Sequence, residues 1–139
     1  MSFTGPLEDR LLIRERMSAY ADAAFRQDEE AYLACWSENA VRVGQGATVQ
    51  GTAALRAQWR GFWQFLESMA FFTEVGGIEV NGDHAAARCY CREIMTLKGG
   101  GLWKVTGVYA DELVREGDAW LFARREYTLL LDEGRPGGV

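Results

Sequence analysis

The punctuation of the second half of this chain constrains its fold more than any other feature. Three turn signals, Asn81-Gly82-Asp83-His84, Lys98-Gly99-Gly100-Gly101 and Glu116-Gly117-Asp118, divide residues 70–131 into four runs. The runs 70–80, 85–98, 103–115 and 119–131 are rich in β-branched and aromatic residues. Short glycine-containing connections between such runs join antiparallel neighbours. The expected product is an antiparallel meander.

The first half has a helical period. Ile13, Met17, Tyr20 and Ala24 form one stripe of a helix over 6–26, with Thr4 as its cap and Pro6 in its first turn. A short helix is expected from Asp28, as cap, to Trp36, followed by a strand over 40–43. Residues 44–51 read as a loop with two extended positions. A third helix is expected from a Thr52 cap to Met69, with Leu55, Trp59, Phe62, Leu66 and Met69 on its stripe and Trp63 and Phe65 widening it. Helices before strands predict an α+β fold: a strongly curved, mostly antiparallel sheet wrapped around three helices. With 139 residues, one domain over 1–131 and a flexible tail over 132–139 are expected.

Composition excludes several classes of function. The net charge of −5 argues against nucleic acid and anionic membranes as partners, since both require a basic footprint. No apolar run approaches the ~20 residues of a membrane helix. The three cysteines and single histidine have no zinc-ligand spacing, so no metal is expected. His84 sits in a turn, away from any core. The start, Met-Ser-Phe-Thr-Gly-Pro, has no basic segment followed by an apolar one, and a cytoplasmic location with reduced cysteines is expected. Neither Gly44-Gln45-Gly46 nor the 98–101 turn opens a helix in a βαβ unit, so neither is a phosphate loop.

Two acids stand out. If Trp103, Val105, Tyr109 and Leu113 face the core, strand alternation puts Asp111 beside them. Glu93 likewise shares a face with Cys89, Cys91, Met95 and Leu97. Buried carboxylates are costly unless paired, hydrogen-bonded or protonated. Two of them on neighbouring strands suggest the floor of a pocket. Glu93 is the candidate acid or base, and its alternative is a salt bridge with Arg124. Arg124 shares a face with Trp120 and Phe122; if that face is inward, Arg124 contacts a ligand and Arg125 and Tyr127 point outward. Trp36, Trp59, Phe62, Trp63, Phe71 and Tyr109 read either as core or as the wall of a pocket that Cys91 and Met95 also line.

The segments Tyr20–Asp28, Trp36–Val41, Gly51–Arg56, Gly107–Arg115 and Trp120–Arg125, in this order, resemble the SnoaL-like branch of the nuclear-transport-factor-two-like superfamily. The resemblance spans residues 7–131 and implies a cone-shaped α+β barrel enclosing an apolar cavity, commonly in a dimer. Beside the ketosteroid isomerases of that superfamily, Tyr20 matches the oxyanion-hole tyrosine of helix 1. Asp111 matches the aspartic acid that shares its role, kept neutral by an apolar site. The position of the isomerase base falls on Gly44, with Gln45 beside it, and neither takes a proton. The isomerase mechanism is therefore not carried over whole.

The expected function is binding of a small, largely apolar carbonyl or phenolic molecule, with cofactor-independent proton transfer of isomerase, cyclase or dehydratase type if the protein is an enzyme. Tyr20 and Asp111 would hold an enolate oxygen and Glu93 would move the proton. The alternatives are a binding module without catalysis and an association domain. In the latter, Tyr90, Arg92, Ile94, Thr96, Val108 and Tyr127 would form the homodimer face on the outside of the sheet.

Overall fold

The computed structural model describes residues 1–134. The meander is present with the expected turns: β4 (Leu66–Asn81), β5 (His84–Leu97), β6 (Leu102–Glu116) and β7 (Ala119–Glu133) pair antiparallel in succession. Three further strands extend it. β2 (Trp36–Gly44) lies parallel to β7, and β3 (Ala47–Gln50) folds back antiparallel on β2. β1 (Phe3–Thr4) pairs parallel with β4, so the sheet runs β1-β4-β5-β6-β7-β2-β3. It is strongly curved and unclosed, with three helices, as the cone fold requires.

The helices cover the concave face. α1 (Leu7–Arg26) buries Ile13, Met17, Tyr20 and Ala24, the stripe its periodicity predicts, against β4 and β7. It ends at Gln27 in the left-handed conformation, and Asp28 then caps α2 (Glu29–Leu33) by accepting from the Ala31 amide at 3.0 Å. α3 (Thr52–Phe62) buries Leu55 and Trp59.

Several boundaries differ from expectation. Thr4 is no helix cap; it belongs to β1, and Pro6 occupies the cap position with no side-chain bond. Gly51, not Thr52, precedes α3. Trp36 opens β2 instead of closing α2, and β3 has four residues where two were expected. α3 stops at Phe62 rather than Met69, because Leu66 and Met69 enter β4 and pair with Leu97 and Met95. Trp63-Gln64-Phe65-Leu66 is apolar on too many sides for a helical period to separate it from a strand. β7 also outlasts its expected end. Asp132 accepts from the Trp103 indole at 2.9 Å and Glu133 pairs with Arg92, so the expected tail begins too early at 132. Its residues 135–139 lie outside the described residues.

β7 carries two bulges, and the first decides which of its side chains reach the interior. Ala123 is an extra residue between the pairs Leu113–Phe122 and Glu112–Arg124. Before it, the even positions Trp120 and Phe122 face inward; after it, the odd positions Arg125 and Tyr127 do. A one-residue slip exchanges the faces of a strand. The second bulge places Leu130 between the pairs Gly107–Leu129 and Thr106–Leu131.

Candidate active site

A cavity of about 230 Å³ lies between the helices and the sheet. Tyr20 and Ala24 of α1, Tyr32 of α2, Trp59 and Phe62 of α3 and the linking Phe65 form the helical side. Leu66, Met69 and Phe71 of β4, Glu93 and Met95 of β5, and Trp103, Val105 and Tyr109 of β6 form the sheet side. Arg42 of β2 and the adjoining Gln45 complete the lining. The wall is mostly aromatic and aliphatic, with a few polar groups, the usual composition of a small-molecule site.

Glu93 is the acid that reaches the cavity. It is only 8% exposed, and among the described residues it forms no salt bridge. The Cys91 thiol donates to its Oε1 at 4.0 Å. Burial raises its pKa to about 7, while the charges of Arg42 and Arg125 pull the other way. A carboxyl near neutrality can both take and give a proton at working pH.

Asp111 does something else. It is buried as expected, but it does not line the cavity. Its two oxygens accept from Arg125 Nε at 2.7 Å and Nη2 at 3.0 Å, and both side chains are fully enclosed. Burial pushes the Asp111 carboxyl up, and the charge and hydrogen bonds of Arg125 restrain it. The Arg125 guanidinium is stacked 3.8 Å from the Tyr109 ring centre, 4.1 Å from Phe122 and 4.5 Å from Tyr20. This pair underlies the site and fixes the rings of Tyr20 and Tyr109.

Arg124, expected to contact a ligand if inward, lies on the outer face, 39% exposed and 3.6 Å from Glu126. The Ala123 bulge is the reason. The same shift turns Tyr127 inward onto Tyr109, at a centroid distance of 5.2 Å, and removes it from the outer face assigned to it. Trp36 is buried behind Tyr20, Tyr32 and Phe122 and does not border the cavity. Trp63 packs edge-on against Trp59, also outside the lining, and Cys91 lies beside Glu93 without bordering the space. Tyr20, Trp59, Phe62, Glu93, Met95 and Tyr109 do line it.

Arg42 was missed, and the signal was present. In β2 it shares a face with Ala40 and Gly44, two small residues that leave room for a large inward side chain. Arg42 is 5% exposed. It donates from Nη1 to Gln58 Oε1 at a long 3.4 Å, and its Nε has no partner. The Tyr109 phenol is its other polar neighbour, and its guanidinium lies 5.5 Å from the Phe62 ring centre. Tyr32 was also missed; it stacks on Trp59 at 4.3 Å and adjoins the Tyr20 phenol. Burial pushes the Tyr32 and Tyr109 phenols well above their ordinary range, so both remain protonated donors.

The fold and this cavity can now be set beside known proteins. A family model described as SnoaL-like domain matches residues 5–126. The chain belongs to the SnoaL-like domain family. No curated protein matches it. Among solved structures, a Novosphingobium aromaticivorans protein provisionally assigned as an aromatic ring hydroxylase is 28% identical, with a TM-score of 0.88 over 95% of this chain and 96% of that one. A protein of the same species provisionally assigned as a scytalone dehydratase is 19% identical, with a TM-score of 0.85 over 96% and 95% of the two chains. A type 2 hexachlorocyclohexane dehydrochlorinase (LinA) is 16% identical, with a TM-score of 0.84 over 96% and 97%. The latter two establish the shared fold. Within this SnoaL-like frame, Gly44 cannot simply be exchanged for an acid: a Cβ there would lie 2.8 Å from the Tyr127 Cβ.

Proposed function

We propose that the cavity binds a single-ring molecule carrying a carbonyl or phenol and that Glu93 transfers a proton to and from it. The observation that carries this reading is one unpaired, buried carboxyl with a pKa near 7 facing the same small space as three tyrosines. An apolar cavity of roughly 150 Å³ holds benzene, so 230 Å³ suits one substituted ring better than a polycyclic system. The 28% identical relative, assigned to aromatic-ring chemistry, supports the same substrate size class.

In the proposed step, ionised Glu93 takes the proton from the carbon beside the carbonyl. The C–H electron pair moves toward the carbonyl oxygen, and the resulting enolate accepts hydrogen bonds from phenols among Tyr20, Tyr32 and Tyr109. Such donors in a dry site are worth several kcal/mol. Protonated Glu93 then returns the proton to a different carbon, which is isomerisation, or to a departing β-hydroxyl, which leaves as water. Asp111 acts in neither step; it holds Arg125 and, through it, the two tyrosine rings. Exchange of the α-protons of 2-cyclohexen-1-one in D2O, followed by NMR, tests the base. Wild type should accelerate exchange and Glu93→Gln should lose about 10²–10⁴-fold. Equal exchange by both proteins would reject the role of Glu93.

A second reading is a binding module without turnover. Gly44 at the position of the isomerase base favours it. It predicts saturable ligand binding, unchanged α-proton exchange and no product.

A further inference from the structure

Arg42 is the group that the proton-transfer reading leaves unused. Its side chain is buried in an aromatic wall, its Nε has no partner, and its Nη1 reaches an amide oxygen at a long 3.4 Å. Among the described residues it takes part in no salt bridge. A guanidinium keeps its charge at any accessible pH, so it cannot escape this cost by losing a proton. Arg125, equally buried, meets a carboxylate in two hydrogen bonds. Arg42 borders empty space instead.

We infer that Arg42 is the anchor for a carboxylate, and that the natural ligand is a single-ring carboxylic acid. A carboxylate is planar and accepts from two guanidinium nitrogens at once. It would supply a hydrogen-bonded countercharge to a guanidinium that otherwise has a long contact to Gln58 and the neighbouring Tyr109 phenol. The ring would lie along Trp59, Phe62 and Tyr32, which border the same space. The inference rests on the cavity being a ligand site, as proposed above, but not on catalysis by Glu93.

The test uses benzoate against benzamide and benzyl alcohol, neutral probes of nearly the same size, titrated calorimetrically into the full chain. Benzoate should bind at least about tenfold tighter than either, the worth of one hydrogen bond to a charged group. Arg42→Met should abolish that preference while leaving benzyl alcohol binding within about threefold, and Arg42→Lys should retain part of it. Because Arg42→Met removes a buried charge that has no salt-bridge partner among the described residues, its melting temperature should equal or exceed that of wild type. A merely structural arginine predicts the opposite, so a destabilised or unfolded Arg42→Met overturns the inference. So does benzamide binding as tightly as benzoate, or the absence of benzoate binding to wild type. Benzoate preference without any Glu93-dependent exchange would reject the proton-transfer reading and keep this one. Exchange without benzoate preference would do the reverse.

Discussion

Replacing Asp111 with Asn separates the two roles that its position allows. As a protonated donor beside Tyr20, Asp111 would be well imitated by Asn, and stability would barely change. As the counter-ion of Arg125 it cannot be. Both side chains are fully enclosed, and the two hydrogen bonds, 2.7 and 3.0 Å, supply the charge compensation of Arg125. Arg125 Nη1 already lacks a partner, so nothing else stands ready to replace the carboxylate. Breaking a buried pair in this way costs about 3–5 kcal/mol. For 139 residues the unfolding entropy is about 0.3 kcal/mol/K, so the melting temperature should fall by about 10–17 °C. Removing both charges should be far milder. Asp111→Val with Arg125→Met should lie within about 2 kcal/mol of wild type, since an apolar pair replaces an ionic one. Thermal and urea melts at pH 7 of wild type, Asp111→Asn, Asp111→Val, Arg125→Met and the double variant, read by circular dichroism, complete the cycle. A single substitution costing less than about 1 kcal/mol, or a double variant as unstable as the sum of the singles, would refute the ion-pair assignment.

Three further outcomes follow from the same geometry. Glu93 is protonated more readily in the folded chain than in the unfolded one, its pKa rising from 4.5 to about 7, so its contribution is present below about pH 4.5 and is lost as pH rises through about 7. Wild type should lose about 3 kcal/mol over that window relative to Glu93→Gln, measured by urea melts from pH 5 to pH 8; parallel curves would count against the burial of a titrating Glu93. Gly107→Ala should be destabilising by about 1–3 kcal/mol or more, because its Cβ would meet the Tyr127 ring at 2.2 Å; an unchanged melting temperature would show that Tyr127 does not occupy that space. Burial raises the pKa of Cys89 to about 11 and of Cys91 to about 12 and also raises that of Cys35, so native protein should resist iodoacetamide until denatured. Mass spectrometry showing rapid native labelling at Cys89 or Cys91 would contradict that packing.

The meander was legible because its turns carry glycine where the chain must reverse, and the inward faces of β5 and β6 follow an uninterrupted period of two. That regularity is why Glu93 and Tyr109 were found. The helix 1 stripe was equally clear, and with it Tyr20. What failed was local. Alternation in β7 breaks at Ala123, and no residue there marks a bulge, so Arg124 was chosen as the inward candidate and Arg125 was left outside. Burial of Asp111 was readable from its neighbours, but its partner depended on the same unmarked bulge. Arg42 sat in a strand expected over only four residues, 40–43, and the full length of β2 appears only once it pairs with β7.

The two buried arginines divide the interior into parts with different purposes. Arg125 is neutralised by Asp111 and sandwiched by three rings, and every contact it makes strengthens a fixed arrangement. Each arginine leaves one nitrogen unpaired, but Arg42 borders space and forms no salt bridge among the described residues, which works against a marginally stable domain. A chain that joins one buried guanidinium to a carboxylate by two hydrogen bonds can build such a pair. Leaving the second without a salt bridge, near a Glu93 that also has none, fits a site whose remaining partner comes from outside the chain. On the proposed reading, Asp111 and Arg125 hold Tyr20 and Tyr109 still while Arg42 and Glu93 stay available, which assigns rigidity and reactivity to different pairs of charges.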